Sequence, residues 1–325
     1  MSKKSQLVNL YATSFSDSPQ YIDNFFTQYY ESKNAVTYTE KGLIISALHL
    51  LPKNLFFNGR IWRLPFIVGA STLEEYRGKG YFSKLIYKTL DRLNSTNTPF
   101  VLLYPSNREL YTKLGFVDVT FCGKKTVKYD GNEAISRPFS YEEISVFFNT
   151  YLRNRYQISQ YRTLKETQKI TERWAVENIC AKMYSLNGKS CYVAKSDTEI
   201  EEVVGDVDVL NGVKELDGQE LTDFNCHDLP YTMARLVSPH KLLKSMKFTR
   251  DGEFCFKVKD DFYAPSNVSV NLKIHKNTVI LNSSSKYDFV VTGQDLLRLS
   301  FGQIIEGCPL SDVINPSQAV FVDKY

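Results

Sequence analysis

The chain has 325 residues, 43% of them hydrophobic, and a formal net charge of +4 from 40 basic and 36 acidic side chains. That length favours two or three domains, and the small charge, with no basic stripe interleaved with aromatics, argues against a nucleic-acid partner. No run of eighteen apolar residues is present to cross a membrane, the first residues lack the apolar segment of a signal peptide, and a cytoplasmic location is expected.

The six cysteines (122, 180, 191, 226, 255 and 308) form no C-x-x-C pair, and none of the four histidines clusters with them. No metal site is expected, and the thiols read as reduced and mostly buried.

In chain order, residues 16–33 read as an amphipathic helix capped by Ser16 or Ser18, with Ile22, Phe25, Phe26 and Tyr29 on one side. Strands follow at 35–40 and 43–51, joined at Lys41-Gly42, and Asn58-Gly59 marks a hairpin turn. The apolar strand over 64–72 then leads into Tyr-Arg-Gly-Lys-Gly-Tyr-Phe at 76–82, and the spacing of Phe82, Leu85, Ile86, Leu90 and Leu93 makes 80–93 a helix.

A glycine loop at a strand-to-helix turn is common structural punctuation, and it is also a phosphate seat. The first amides of a helix have no internal partner and carry the positive end of its dipole, and glycines let an anion approach them. Arg77 and Lys79 add formal charge. Neither G-x-x-x-x-G-K-[ST] nor a G-x-G-x-x-G with an acidic residue placed for a ribose occurs.

A strand at 100–104 and a helix over 107–114, closed by Gly115 as a left-handed cap, come next, then a strand or strand pair in 116–129. A boundary is expected at Arg137-Pro-Phe-Ser, followed by helices at 141–156 and 163–180, a hairpin at Asn187-Gly188 and an acidic stretch at 197–223. From 231 the pattern changes to a helix near 239–246, strands at 253–259, 268–275, 278–281 and 289–292, and a helix at 293–301.

The loop resembles motif A of the GNAT N-acetyltransferases, R/Q-x-x-G-x-G/A. That pattern falls on Arg77 and Gly80, with Phe82 replacing the small last residue. The strand at 100–104 and the segment Leu-Tyr-Thr-Lys-Leu-Gly-Phe at 110–116 match the same superfamily in the same order. The tail resembles the sterol carrier protein fold, and the combination resembles the "enhanced intracellular survival" type of bacterial acetyltransferase, although this chain is shorter in its middle. The resemblance implies an α/β (α+β) protein with a mixed, mostly antiparallel sheet: a GNAT domain over 1–135, a degenerate GNAT-like region over 136–230 that has lost the cofactor seat, and a sterol carrier protein-like domain over 231–325.

It further implies acetyl-CoA as cofactor, bound by the backbone of Gly78, Lys79, Gly80, Tyr81 and Phe82 with Arg77 alongside. Ala70, Ser71 and Thr72 would face the pantetheine. Ser106 and Asn107 are either cofactor contacts or helix caps. Tyr111 either donates a proton to the departing thiolate or packs its helix on the sheet. The base implied by the resemblance is the terminal carboxylate of Tyr325, on a tail that residues 319–322 make apolar enough to dock; Asp323 could serve or be solvated.

Glu74 and Glu75 balance the loop's charge. Asp17, Asp23 and Glu31 either line an amine pocket or occupy an exposed helix face, and Trp62, Phe25 and Phe26 either shape that pocket or, as the stronger reading, pack the core.

The expected function is transfer of an acetyl group to a primary amine, either a small molecule such as an aminoglycoside or a lysine side chain, by direct attack, since no cysteine lies in the cofactor motifs. A homo-oligomer is implied by resemblance alone. The alternatives are a lipid or apolar-ligand carrier acting through its C-terminal domain and a non-catalytic acyl-CoA-binding scaffold.

Overall fold

The computed structural model describes residues 2–276 and 278–323. It opens with two helices, α1 (Lys3–Ser14) and α2 (Pro19–Gln28). Ser2 and Ser18 cap them by accepting from the N–H groups of Ser5 and Tyr21, and Pro19 takes the first-turn position that needs no N–H. The helix expected over 16–33 therefore stops at Gln28, and α1 was not foreseen. Its buried residues, Leu7, Leu10 and Tyr11, stand at i, i+3 and i+4.

Next come β1 (Ala35–Glu40), β2 (Leu43–Phe57) and β3 (Arg60–Thr72). Both residues of the Lys41-Gly42 and Asn58-Gly59 turns have positive φ, which matches the twist of the strands they join. Then follow α3 (Tyr81–Ser95), β4 (Phe100–Leu103), α4 (Arg108–Thr112), β5 (Val117–Asp118) and β6 (Phe121–Thr126).

The middle of the chain holds β7 (Ile135–Pro138), α5 (Tyr141–Arg155), β8 (Ile158–Tyr161) and α6 (Leu164–Val176). Capping boxes, Ser140 with Glu143 and Thr163 with Glu166, start both helices. β9 (Cys180–Leu186), β10 (Lys189–Lys195) and β11 (Ile200–Gly205) join β7 in an antiparallel sheet, and β12 (Glu220–Asp223) and β13 (Leu229–Pro230) pair with β6.

The last part comprises β14 (Met233–Leu236), α7 (Pro239–Ser245), β15 (Gly252–Lys259), β16 (Val268–His275), β17 (Thr278–Ser283), β18 (Phe289–Thr292), α8 (Gly293–Ser300) and β19 (Ala319–Val320). Among the described residues, no helix is long and apolar enough to cross a membrane.

One mixed sheet of eight strands organises the molecule. Its order is β19-β8-β2-β3-β4-β14-β5, with β1 also on β2. This sheet takes strands from both sides of residues 135 and 230. β14 lies between β4 and β5 and is antiparallel to both, while β8 and β19 form the other edge.

Alternation along the strands sends side chains to opposite faces. Leu51, Leu55, Phe66 and Val68 share a core with α1, α2 and the C-terminal strands. Leu48, Leu50 and Ile67 face the other way and pack on Leu85, Ile86 and Leu90 of α3.

Candidate active site

The site is a gap in the main sheet. β3 and β4 run parallel but pair only at Phe66↔Leu102 and Ile67↔Leu103. β4 ends there, whereas β3 continues to Thr72 with β2 on its other side, so among the described residues no strand lies beside the edge over 68–72. The β2–β3 register also slips here, between Ala47 and His49, which makes a bulge at Gly69. Gly69 has φ +60°, and a Cβ added to it would lie 2.8 Å from the Tyr11 ring, so only glycine fits.

The glycine loop lies past the end of this open edge. Gly78 and Gly80 adopt φ of +72° and +78°, and a Cβ on either would meet nothing within 4 Å, so open space adjoins both. Gly80 is the N-cap of α3, whose first bond runs from the Lys84 N–H to the Gly80 carbonyl. The amides of Tyr81, Phe82 and Ser83 therefore precede the helical ladder, the arrangement an anion needs.

Both basic side chains are turned onto local backbone. Arg77 Nε donates to the Thr72 carbonyl (3.1 Å), and Lys79 Nζ to that of Glu75 (2.7 Å). The Ser71 carbonyl accepts from Ser46 Oγ at 2.9 Å. A tyrosine cluster absent from the sequence reading flanks the loop. The Tyr81 hydroxyl donates to Glu40 Oε2 (2.8 Å), and the Tyr81 ring lies 5.3 Å from that of Tyr38 and 5.7 Å from that of Tyr76.

Across the gap, Ser106 and Asn107 are exposed just past β4. Asn107 caps α4 by accepting from the Leu110 N–H at 3.3 Å, so the capping role holds for it. Tyr111 is 5% exposed, with its ring 5.8 Å from that of Phe82 and 5.4 Å from that of Phe116. Thus Tyr111 packs against the first turn of the loop's helix. Burial pushes its pKa up to about 12. Gly115 closes this segment at φ +79°, where a Cβ would strike Phe262 and Arg235.

The chain's tail runs into the same sheet, and Ala319, Val320, Phe321 and Val322 are buried. The Phe321 ring stacks on that of Phe66 at 5.0 Å, and the Val322 carbonyl accepts from the Tyr231 hydroxyl at 2.8 Å. The Tyr231 ring in turn lies 5.0 Å from that of Tyr104, at the mouth of the gap.

Asp323 is not solvated, contrary to one expectation, and does not serve as a free base. It is 8% exposed, paired with Lys53, and bonded to Arg162 at 2.6 Å; Arg162 also holds Glu202. Burial alone would raise its pKa, but Lys53 and Arg162 outweigh that and hold the carboxylate well below the usual range. Tyr325 lies outside the described residues. This buried ion network escaped the sequence reading because its members are up to 270 residues apart.

Known proteins of similar structure share this architecture. A GCN5-related N-acetyltransferase from Anabaena variabilis superposes with a TM-score of 0.70 at 16% identity, covering 92% of this chain and 88% of that one. A conserved protein of unknown function from Enterococcus faecalis gives 0.78 at 14%, covering 99% and 97%. Eis1 from Mycobacterium abscessus gives 0.67 at 11%, covering 92% and 86%. At these identities the likeness is one of fold. No curated protein sequence matches the chain. Residues 2–117 match the family model described as an acetyltransferase (GNAT) domain, and the protein has an α+β GNAT fold built on a mixed sheet.

Proposed function

We propose that residues 2–117 bind acetyl-CoA and transfer its acetyl group to a primary amine by direct attack. One observation carries this reading: a glycine loop with open backbone and a buried tyrosine meet at the gap between β3 and β4, through the Phe82–Tyr111 contact of 5.8 Å. The amides of Gly78 to Phe82 would hold the pyrophosphate, with Arg77 and Lys79 lending charge. Ala70, Ser71 and Thr72 flank the gap on one side, and Ser106 and Asn107 lie past β4 on the other. When bound, the cofactor supplies an activated acyl thioester.

Magnitudes define what Tyr111 can do. With its pKa at about 12 it is fully protonated at neutral pH and can donate. An alkyl thiol has a pKa near 8.5, so full proton transfer from Tyr111 to a thiolate would run about 3.5 pKa units uphill, or about 5 kcal/mol. Tyr111 therefore starts as a hydrogen-bond donor to the departing sulfur and passes its proton across only as negative charge builds there.

The incoming alkylammonium, with a pKa of about 10.4, must lose its own proton. The carboxylate of Tyr325 is the candidate base, and the docked tail supports that choice. The acceptor class is a small amine such as an aminoglycoside, or a lysine side chain. The tail unit's likeness to sterol carrier proteins belongs to this proposal too. Its strands close on Phe256, Val258, Val270 and Leu272, all at 0% exposure, which speaks against lipid carriage there.

Thermal shift with acetyl-CoA, combined with thiol release on a panel of amines that includes aminoglycosides and lysine peptides, tests the reading. Stabilisation and turnover on at least one amine are expected. Stabilisation without any turnover would favour a scaffold, and stabilisation by lipids alone a carrier.

A further inference from the structure

A cavity of about 610 Å³ lies away from the gap, between the β2–β3 hairpin and the C-terminal unit. Its floor is the buried trio Phe57, Met246 and Phe248, and Trp62 forms part of its wall. Asn58 Nδ2 donates to the Ser245 carbonyl at 3.2 Å, tying the hairpin turn to the end of α7. A second hollow of about 100 Å³ continues from it past Asn58 and Lys247.

The charge of this cavity is one-sided. Arg60, Lys244 and Lys247 line it, and Lys241 holds its ammonium 5.5 Å from the centre of the Trp62 ring. No carboxylate lines it, and among the described residues none of these four cations forms an ion pair. Like charges gathered in a concave recess with an apolar floor repel one another and focus a field that an anion relieves.

We infer that this cavity binds an organic polyanion carrying a flat ring, of the nucleoside polyphosphate class. The cations take the phosphates, Trp62 takes the ring, and the volume falls within the range of small-ligand sites, too large for a bare inorganic ion. A concave recess of this size selects a small molecule over a nucleic-acid duplex.

The protein carries its own probe. Of its two tryptophans, Trp174 is 2% exposed in a separate core, so a ligand in this cavity changes the emission of Trp62. Full-length protein is titrated with ATP, inorganic tripolyphosphate and duplex DNA. ATP should shift the emission saturably, with tripolyphosphate weaker and the response falling as salt rises. A Lys244→Glu/Lys247→Glu double variant, changed at two exposed positions, should bind ATP about tenfold or more weakly. Trp62→Phe should abolish the signal, and Arg77→Ala, at the glycine loop, should leave it intact.

No emission change with ATP, equal affinity in the double variant, or loss of the response in Arg77→Ala would each overturn the inference. Tight binding of DNA without ATP binding would overturn it in favour of a nucleic-acid surface.

Discussion

His49 provides a stability measurement whose size follows from the structure. It stands on β2 opposite Val68, beside the bulge at Gly69, and is 2% exposed. The rings of Phe25, Phe26 and Tyr30 lie 5.3, 5.6 and 5.8 Å from its imidazole, and Nδ1 has no hydrogen-bond partner among the described residues. Burial, with a smaller push from Lys3, holds its pKa at about 4 against the ordinary 6.5.

The unfolded chain therefore takes up a proton below about pH 6.5 that the folded chain refuses. Stability is intact above that pH and falls toward pH 4 by up to about 1.4 kcal/mol per pH unit, or roughly 3 kcal/mol over the window. His49→Leu removes this penalty. Urea unfolding of both proteins from pH 7 to pH 4 isolates the effect, because every other titrating group is shared. The stability difference should move by about 3 kcal/mol in the variant's favour on acidification. A difference constant within about 0.5 kcal/mol would refute the argument.

Tyr111→Phe should lower kcat roughly 10- to 100-fold with KM for acetyl-CoA within about twofold, read by thiol-release kinetics; an unchanged kcat removes Tyr111 from the chemistry. Arg77→Ala should weaken acetyl-CoA binding about tenfold by calorimetry, and Arg77→Lys separates its two roles, because lysine keeps the charge but loses the Nε bond to the Thr72 carbonyl. Gly69→Ala and Gly78→Ala should share a cost of about 1–2 kcal/mol from their left-handed φ, and the 2.8 Å approach to Tyr11 should make Gly69→Ala the more damaging of the two by urea unfolding. Asp323→Asn removes the carboxylate charge that Lys53 and Arg162 share and should cost about 3–5 kcal/mol, measured by urea unfolding at pH 7. Because the folded-state pKa of Asp323 is depressed, its contribution is present above about pH 4 and lost as the pH falls below that.

Local features were readable because their causes are local. Lys41-Gly42, Asn58-Gly59 and Asn187-Gly188 all turn with positive φ at both residues, and Gly115 caps where expected, because few other residues adopt that backbone. The helix and strands of the last hundred residues were likewise legible in period and punctuation.

Long-range pairing was not legible. β8, β14 and β19 are four residues or shorter, and nothing within them states that their partners are β2, β4 and one another. Within the candidate site, the glycine loop and Tyr111 announced themselves by motif. The Tyr38–Tyr76–Tyr81 cluster and the Lys53–Asp323–Arg162 network did not, since only the folded sheet brings them together.

That sheet also explains why the gap survives in the middle of a packed molecule. Unpaired backbone on an open strand edge is costly, and the protein answers it locally: Arg77 takes the carbonyl of Thr72, and a bulge at Gly69 turns the strand. The walls are braced from elsewhere in the chain. β14 covers the far edge of β4, Tyr231 stacks on Tyr104, and Phe321 stacks on Phe66, one of the two rungs that join β3 to β4. An isolated 1–135 fragment would lose all three supports and expose the edge of β4, so the GNAT-like unit that the sequence outlines in its first third is completed only by residues two hundred positions further on.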